Sequence, residues 1–163
     1  MNDDDILVEF IVEAREILDQ LDLDFVQLEI TPDDKKLVGN IFRAMHTLKG
    51  SSGFFAFKRL EKVSHAGESL LGKIRDGHLA LDTQKTSTLL MALDALREII
   101  SGIEVANTEP AGDDALLIAD LLSLANGGEV SSNNNRGAIP SPQPSTPPLE
   151  TTQTTEDLVL DAI

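Results

Sequence analysis

The sequence predicts an all-α fold, an antiparallel four-helix bundle with a fifth helix packed alongside, and three observations carry that prediction. Apolar residues recur at i, i+3, i+4 and i+7 through most of the first 125 residues. The segments with this period are separated by short turns rich in cap and stop residues. No stretch alternates apolar and polar residues convincingly, as a half-buried strand would. Short turns between amphipathic helices place successive helices antiparallel around one core.

The first helix runs from about Asp4 to Glu29, with Leu7, Phe10, Ile11, Ala14, Ile17, Leu18, Leu21, Phe25 and Leu28 on one stripe and acidic residues on the other side. Thr31-Pro32-Asp33-Asp34 predicts the next start: Thr31 as cap, Pro32 at the first helical position and an acid at the third. Helix two continues to about Ser52 and buries Leu37, Ile41, Ala44, Met45, Leu48 and Ser52. Phe54-Phe55-Ala56-Phe57 reads as a short apolar turn that plugs one end of the core.

Helix three spans Lys58 to Arg75, packs Leu60, Val63, Gly67, Leu70, Leu71 and Ile74, and stops at Asp76-Gly77. Lys73 and Arg75 in its last turn suit the helix dipole. A fourth helix begins near Asp82 or Thr83, carries Leu89, Leu93, Leu96, Ile100 and Ile103, and ends before Pro110. The fifth, about Asp113 to Ala125, is apolar nearly all round, so it is expected to be buried or to bind a partner. From Asn126 the composition turns to Gly, Asn, Pro and Thr. The expected organisation is therefore a domain over 1–125 and a flexible linker over 126–163.

Composition narrows the function. The chain has no cysteine, which excludes disulfides and thiolate metal sites and makes a reducing, cytoplasmic setting natural. The net charge of −15 argues against nucleic acid and against direct contact with anionic membranes. The acidic N-terminus and the absence of any apolar run approaching the ~18–20 residues of a span predict a soluble protein without a secretory signal.

Against this background His46 stands out. It falls about 180° from the buried stripe of its helix, beside Gly39, Gly50 and Gly53, with Phe42 at i−4, Arg43 at i−3 and Lys49 at i+3. Each helical glycine costs about 0.5–1 kcal/mol relative to alanine, so three beside one exposed imidazole suggest a surface cleared for close approach. A nucleophilic imidazole needs access, a cation for the phosphoryl oxygens and an acceptor that fixes its tautomer. Glycine supplies the first, Lys49 the second, and Glu68 on helix three is placed to supply the third.

A metal site is the first rival, but His46, His65 and His78 have neither i,i+4 spacing nor cysteine partners. Gly50-Ser51-Ser52-Gly53 satisfies the GxxG pattern of RNA-binding KH loops, yet the domain is acidic and without strands. Lys49 precedes Gly50 and Ser51, which is the wrong order for a phosphate-binding P-loop, so the chain is not expected to bind ATP by itself.

The run His46-Thr47-Leu48-Lys49-Gly50-Ser51-Ser52-Gly53-Phe54, followed by His65-Ala66-Gly67-Glu68, closely resembles the histidine phosphotransfer (HPt) domain at the N-terminus of CheA-type chemotaxis sensor kinases. The resemblance covers roughly residues 4–125. It implies that His46 is phosphorylated by an ATP-binding kinase domain and passes the phosphoryl group to an aspartate on a response regulator. Carried over residue by residue, Lys49 assists electrostatically, Glu68 hydrogen-bonds the imidazole, and His65 stands behind these immediate partners. Phe42, Arg43, Gly50 and Gly53 form the docking surface. The implied partners are a CheA-type kinase domain, in cis or in trans, and receiver domains. ATP and Mg²⁺ are needed through those partners, with no cofactor or metal held by this chain. The tail ending in Leu158-Val159-Leu160-Asp161-Ala162-Ile163 looks like a linker cut short, which favours a piece of a longer kinase. A stand-alone phosphorelay protein and a non-enzymatic helical adaptor are the alternatives, though an adaptor leaves the glycine-floored histidine unexplained.

Overall fold

The computed structural model describes residues 2–130, and these contain five helices and no strand. They are α1 (Asp3–Ile30), α2 (Lys35–Phe54), α3 (Lys58–Arg75), α4 (Thr83–Ala106) and α5 (Ala115–Ala125). The linker expected after Asn126 lies, from residue 131 onward, outside the described residues.

Helix α1 starts where Asn2 accepts from the N–H of Asp3 and forms a reciprocal cap with Asp5. The next boundary differs from the sequence expectation. Thr31 does not cap α2: its N–H and its hydroxyl both donate to the carbonyl of Gln27, closing α1, and Asp34 caps α2 by accepting from the N–H of Leu37. The hydroxyl is consumed by the helix behind it, and the next good acceptor takes over. At its other end α2 runs on through Phe54, the last helical residue, which is 75% exposed and plugs nothing. Phe55 and Phe57 do the plugging, with ring centroids 4.9 and 5.9 Å from that of Phe10 on α1. Helix α3 has the bounds that its pattern predicts, and Gly77 leaves it at φ +78°, a conformation that glycine adopts without a Cβ clash.

The first four helices form a closed square, with α1 against α2 and α4, and α3 against α2 and α4. Side-chain pairings give the directions. Arg15 meets Glu104, while Arg97 meets Asp19 and Asp22, so α1 and α4 are antiparallel. His46 meets Glu68 while Phe42 meets Arg75, so α2 and α3 are antiparallel as well. Leu21, Ile41, Met45, Leu60, Leu71, Leu89, Leu96 and Ile103 are fully buried in the shared core, each burial contributing roughly 1.5–3 kcal/mol.

Helix α5 lies along α3 and α4 and buries Leu121 and Leu124, but Leu116 and Leu122 stay exposed, so only one side of this apolar helix is covered. Its approach is locked at the start of α3. Arg59 donates to both carboxylate oxygens of Asp114, at 2.6 and 3.0 Å, and to the carbonyl of Pro110 at 3.2 Å. Phe57 offers α3 no side-chain cap, and Glu109 accepts from the N–H of Leu60 at 2.7 Å in its place. No helix among the described residues is long and apolar enough to cross a membrane.

Candidate functional site

The outer face of α2 carries His46, whose side chain is 62% exposed. At Gly39, Gly50 and Gly53 an added Cβ would meet nothing within 4 Å. None of the three is therefore required by packing inside the domain, and Gly50 and Gly53 lie within α2 rather than after its end. The helix accepts their conformational cost and leaves a flat approach to the imidazole.

Opposite this face, Glu68 reaches across from α3. Its Oε1 lies 3.2 Å from Nδ1 of His46 and its Oε2 lies 2.7 Å from Nζ of Lys49. The carboxylate is only 13% exposed. Partial burial opposes its ionisation, but the hydrogen bonds from Lys49 and His46, with the charge of each, outweigh that cost and hold the carboxyl below the usual carboxylate range. An ionised carboxylate only accepts, so Nδ1 must carry the proton, and in neutral imidazole that leaves the lone pair on Nε2. Nε2 takes part in no hydrogen bond among the described residues. The constellation therefore presents one nucleophilic nitrogen to solvent, in a fixed tautomer.

Phe42 borders the imidazole on the same helix, its ring within 16° of parallel and its centroid 6.3 Å away. Half-buried, it is held from α3: an added Cβ on Gly72 would stand 3.3 Å from its ring, and the guanidinium of Arg75 sits 4.0 Å from its centroid. The sequence places Gly72 near Glu68 but gives Arg75 only a helix-end role. The register that pairs His46 with Glu68 also pairs Phe42 with Gly72, and that antiparallel register is the signal that could have found the contact.

The remaining candidates lie apart from this cluster. Arg43 is exposed, one turn before His46, and contacts Asn40 at 3.4 Å. His65 is exposed on α3, and its ring enters no hydrogen bond, ion pair or ring contact among the described residues, so the structure does not join it to His46. His78 is exposed in the turn after α3.

Residues 5–99 match the Hpt domain family. Among curated proteins, a chemotaxis protein CheA of Listeria monocytogenes is 33% identical over 115 residues, covering 71% of this chain and 18% of the relative. A sensor histidine kinase CheAY of Helicobacter pylori is 34% identical over 96 residues, covering 59% of this chain and 12% of the relative. The chain thus spans less than a fifth of the length of these relatives. Among solved structures, the phosphorylated P1 domain of CheA3 in complex with CheY6 from R. sphaeroides superposes with a TM-score of 0.70 at 27% identity, covering 76% of this chain and 98% of that one.

Proposed function

Because this chain belongs to the Hpt domain family, we propose that His46 accepts a phosphoryl group from a CheA-type kinase domain and passes it to an aspartate of a response-regulator receiver domain in chemotaxis signalling. The observation that carries this reading is the Nδ1 bond to a partly buried, ionised Glu68, since in the neutral imidazole it leaves the lone pair on Nε2 of a largely exposed side chain. In the first step the Nε2 lone pair attacks the γ-phosphorus of ATP held with Mg²⁺ by the kinase domain. The N–P bond forms, the bond to the bridging oxygen breaks and ADP leaves. The phosphorylated imidazole gains positive character, which the Glu68 carboxylate stabilises through Nδ1–H. In the second step an aspartate oxygen attacks phosphorus, the N–P bond breaks and its electron pair returns to Nε2.

Lys49 serves this sequence in two ways. Its ion pair with Oε2 orients Glu68, and the N–H donors not used there can meet phosphoryl oxygens. Catalysis of this kind rests on positioned charge more than on covalent help. The setting is cytoplasmic, where ATP is available, and the kinase domain acts in cis or in trans.

Incubation with a CheA-type kinase core, ATP and Mg²⁺ should yield an acid-labile, base-stable phosphoprotein that loses its label on addition of a CheY-type receiver. An unlabelled protein, or a label stable to acid, overturns the reading.

A further inference from the structure

Helix α1 is apolar on two sides. One side forms its share of the core. The other carries Val8, Val12, Leu23, Val26 and Ile30, each at least 53% exposed, and these are half of the ten large hydrophobic side chains that stand exposed among the described residues. At about 100° per residue they fall, with Arg15 and Asp19, in one band about 80° wide whose centre lies about 140° from the middle of the buried stripe. A single exposed valine needs no explanation, but five apolar side chains in one line over about 33 Å of helix do. The pattern from Val8 to Asp19 repeats eleven residues on, from Asp19 to Ile30, and that period keeps the line nearly parallel to the helix axis. A partner helix laid along α1 would meet all of it.

Charge decides what fits there. In the middle of the line Arg15 pairs with Glu104 and Asp19 with Arg97, so the centre is polar and the two ends are apolar. Asp4 and Glu29 border the line on one flank and Glu9 and Glu16 on the other, all exposed and without an ion pair among the described residues. The line reads the same in both directions about Asp19, so a second copy of this chain would match Val8 with Ile30 and Val12 with Val26. It would also set Asp19 against Asp19 and Glu16 against Asp22, on a helix with ten acidic residues and one basic, and such like-charge contacts exclude a partner. Residues 131–163 of this chain carry four acidic residues and one basic, and meet the same repulsion. Nucleic acid and anionic membranes are repelled as well.

We propose that the outer side of α1 seats one basic amphipathic helix of another protein. Its apolar seam would cover Val8 and Val12 at one end and Leu23, Val26 and Ile30 at the other, and its flanks would carry Lys or Arg opposite Asp4, Glu9, Glu16 and Glu29. Burial of the apolar ends supplies the affinity, as in other recognition by the apolar face of a helix. The flanking charges select the partner and exclude self-pairing, as they do beside the seam of a coiled coil, and the polar pair Arg15 and Asp19 fixes where the partner stops sliding. The inference is independent of the role of His46.

The test titrates the full chain against a fluorescent synthetic helix of about 25 residues, long enough to span the line. It carries Leu at the four outer seam positions, Gln at the middle three and Lys on both flanks. Because the spacing is the same in either direction, one peptide tests both orientations. A scrambled peptide of the same composition keeps the charge and loses the seam. At about 150 mM NaCl, where long-range attraction is screened, the patterned peptide should bind at least about tenfold more tightly than the scrambled one. The double variant Val12→Gln, Val26→Gln changes two exposed side chains, so its CD spectrum should match the parent's while its affinity for the patterned peptide falls about tenfold. The variant Glu9→Lys, Glu16→Lys should weaken the same peptide by a similar factor and more so at low salt. Equal binding of the two peptides, or a valine variant that binds like the parent, overturns the proposal. So does sedimentation that shows the parent dimerising and the valine variant monomeric, which would give the line to a second copy.

Discussion

The sulfur of Met45 lies 3.5 Å from where a Cβ on Gly67 would stand, and this close approach of α2 to α3, one residue from His46 and one from Glu68, sets the separation that their hydrogen bond spans. At that distance a methyl group makes ordinary contact and a larger side chain does not fit. Gly67→Ala should therefore be tolerated, gaining up to about 1 kcal/mol from helix propensity. Gly67→Leu should cost about 1–3 kcal/mol by overpacking and slow phosphotransfer as the helices part. Urea denaturation alongside transfer kinetics separates the two variants.

His46→Gln should abolish the phosphoryl label while changing stability by no more than about 0.5 kcal/mol, since the side chain is mostly exposed. Label measured after alkaline denaturation, with a thermal melt on the same sample, checks both halves. Persistence of the label at parental levels would move the acceptor to His65 or His78.

Lys49→Ala should raise the pKa of Glu68, because partial burial then acts with less opposition. The parent's depressed carboxyl contributes stability that is present above the unfolded-state pKa of Glu, near 4.3, and is lost as pH falls through the lower folded value. Lys49→Ala should therefore be destabilised relative to the parent at neutral pH, and the gap should close in acid. Carboxyl ¹³C titration and melts as a function of pH would read the shift and its consequence; an unshifted Glu68 would contradict the ion pair.

Gly50→Ala should stabilise the domain by about 0.5–1 kcal/mol, because nothing lies within 4 Å of the added Cβ. Gly50→Trp should also fold, yet slow transfer to the receiver by obstructing approach to Nε2. Comparable transfer rates in parent and Gly50→Trp would mean that partners do not approach over this glycine.

Arg59→Ala removes the cation from Asp114, whose side chain is only 9% exposed, and should cost about 3–5 kcal/mol as a partnerless buried charge. Glu109→Ala removes one cap from α3 and should cost about 1 kcal/mol. Chemical denaturation would rank them, and hydrogen exchange should locate the loss at α5 and the start of α3.

Much of the site was legible before any coordinates. Helical periodicity placed His46 opposite Leu37, Ile41 and Leu48, and the same periodicity left Glu68 free to reach it. Arg59, Glu109 and Asp114 were not legible as a group, since contacts across about 50 residues of sequence leave no periodic trace. Thr31 was misplaced as a cap because one hydroxyl can serve the helix behind it or the helix ahead, and both choices satisfy the local pattern.

The sequence by itself determined the helices, their buried faces, the exposure of His46 and the open glycines beside it, because each follows from a 3.6-residue period and local propensity. Only the tertiary structure decided that Glu68 divides its two oxygens between His46 and Lys49, that Arg75 and Gly72 hold Phe42, and that Arg59 and Glu109 tie the start of α3 to the segment before α5. Those are matters of register and of which helices adjoin, and packing around a shared core settles them where the pattern along one helix cannot.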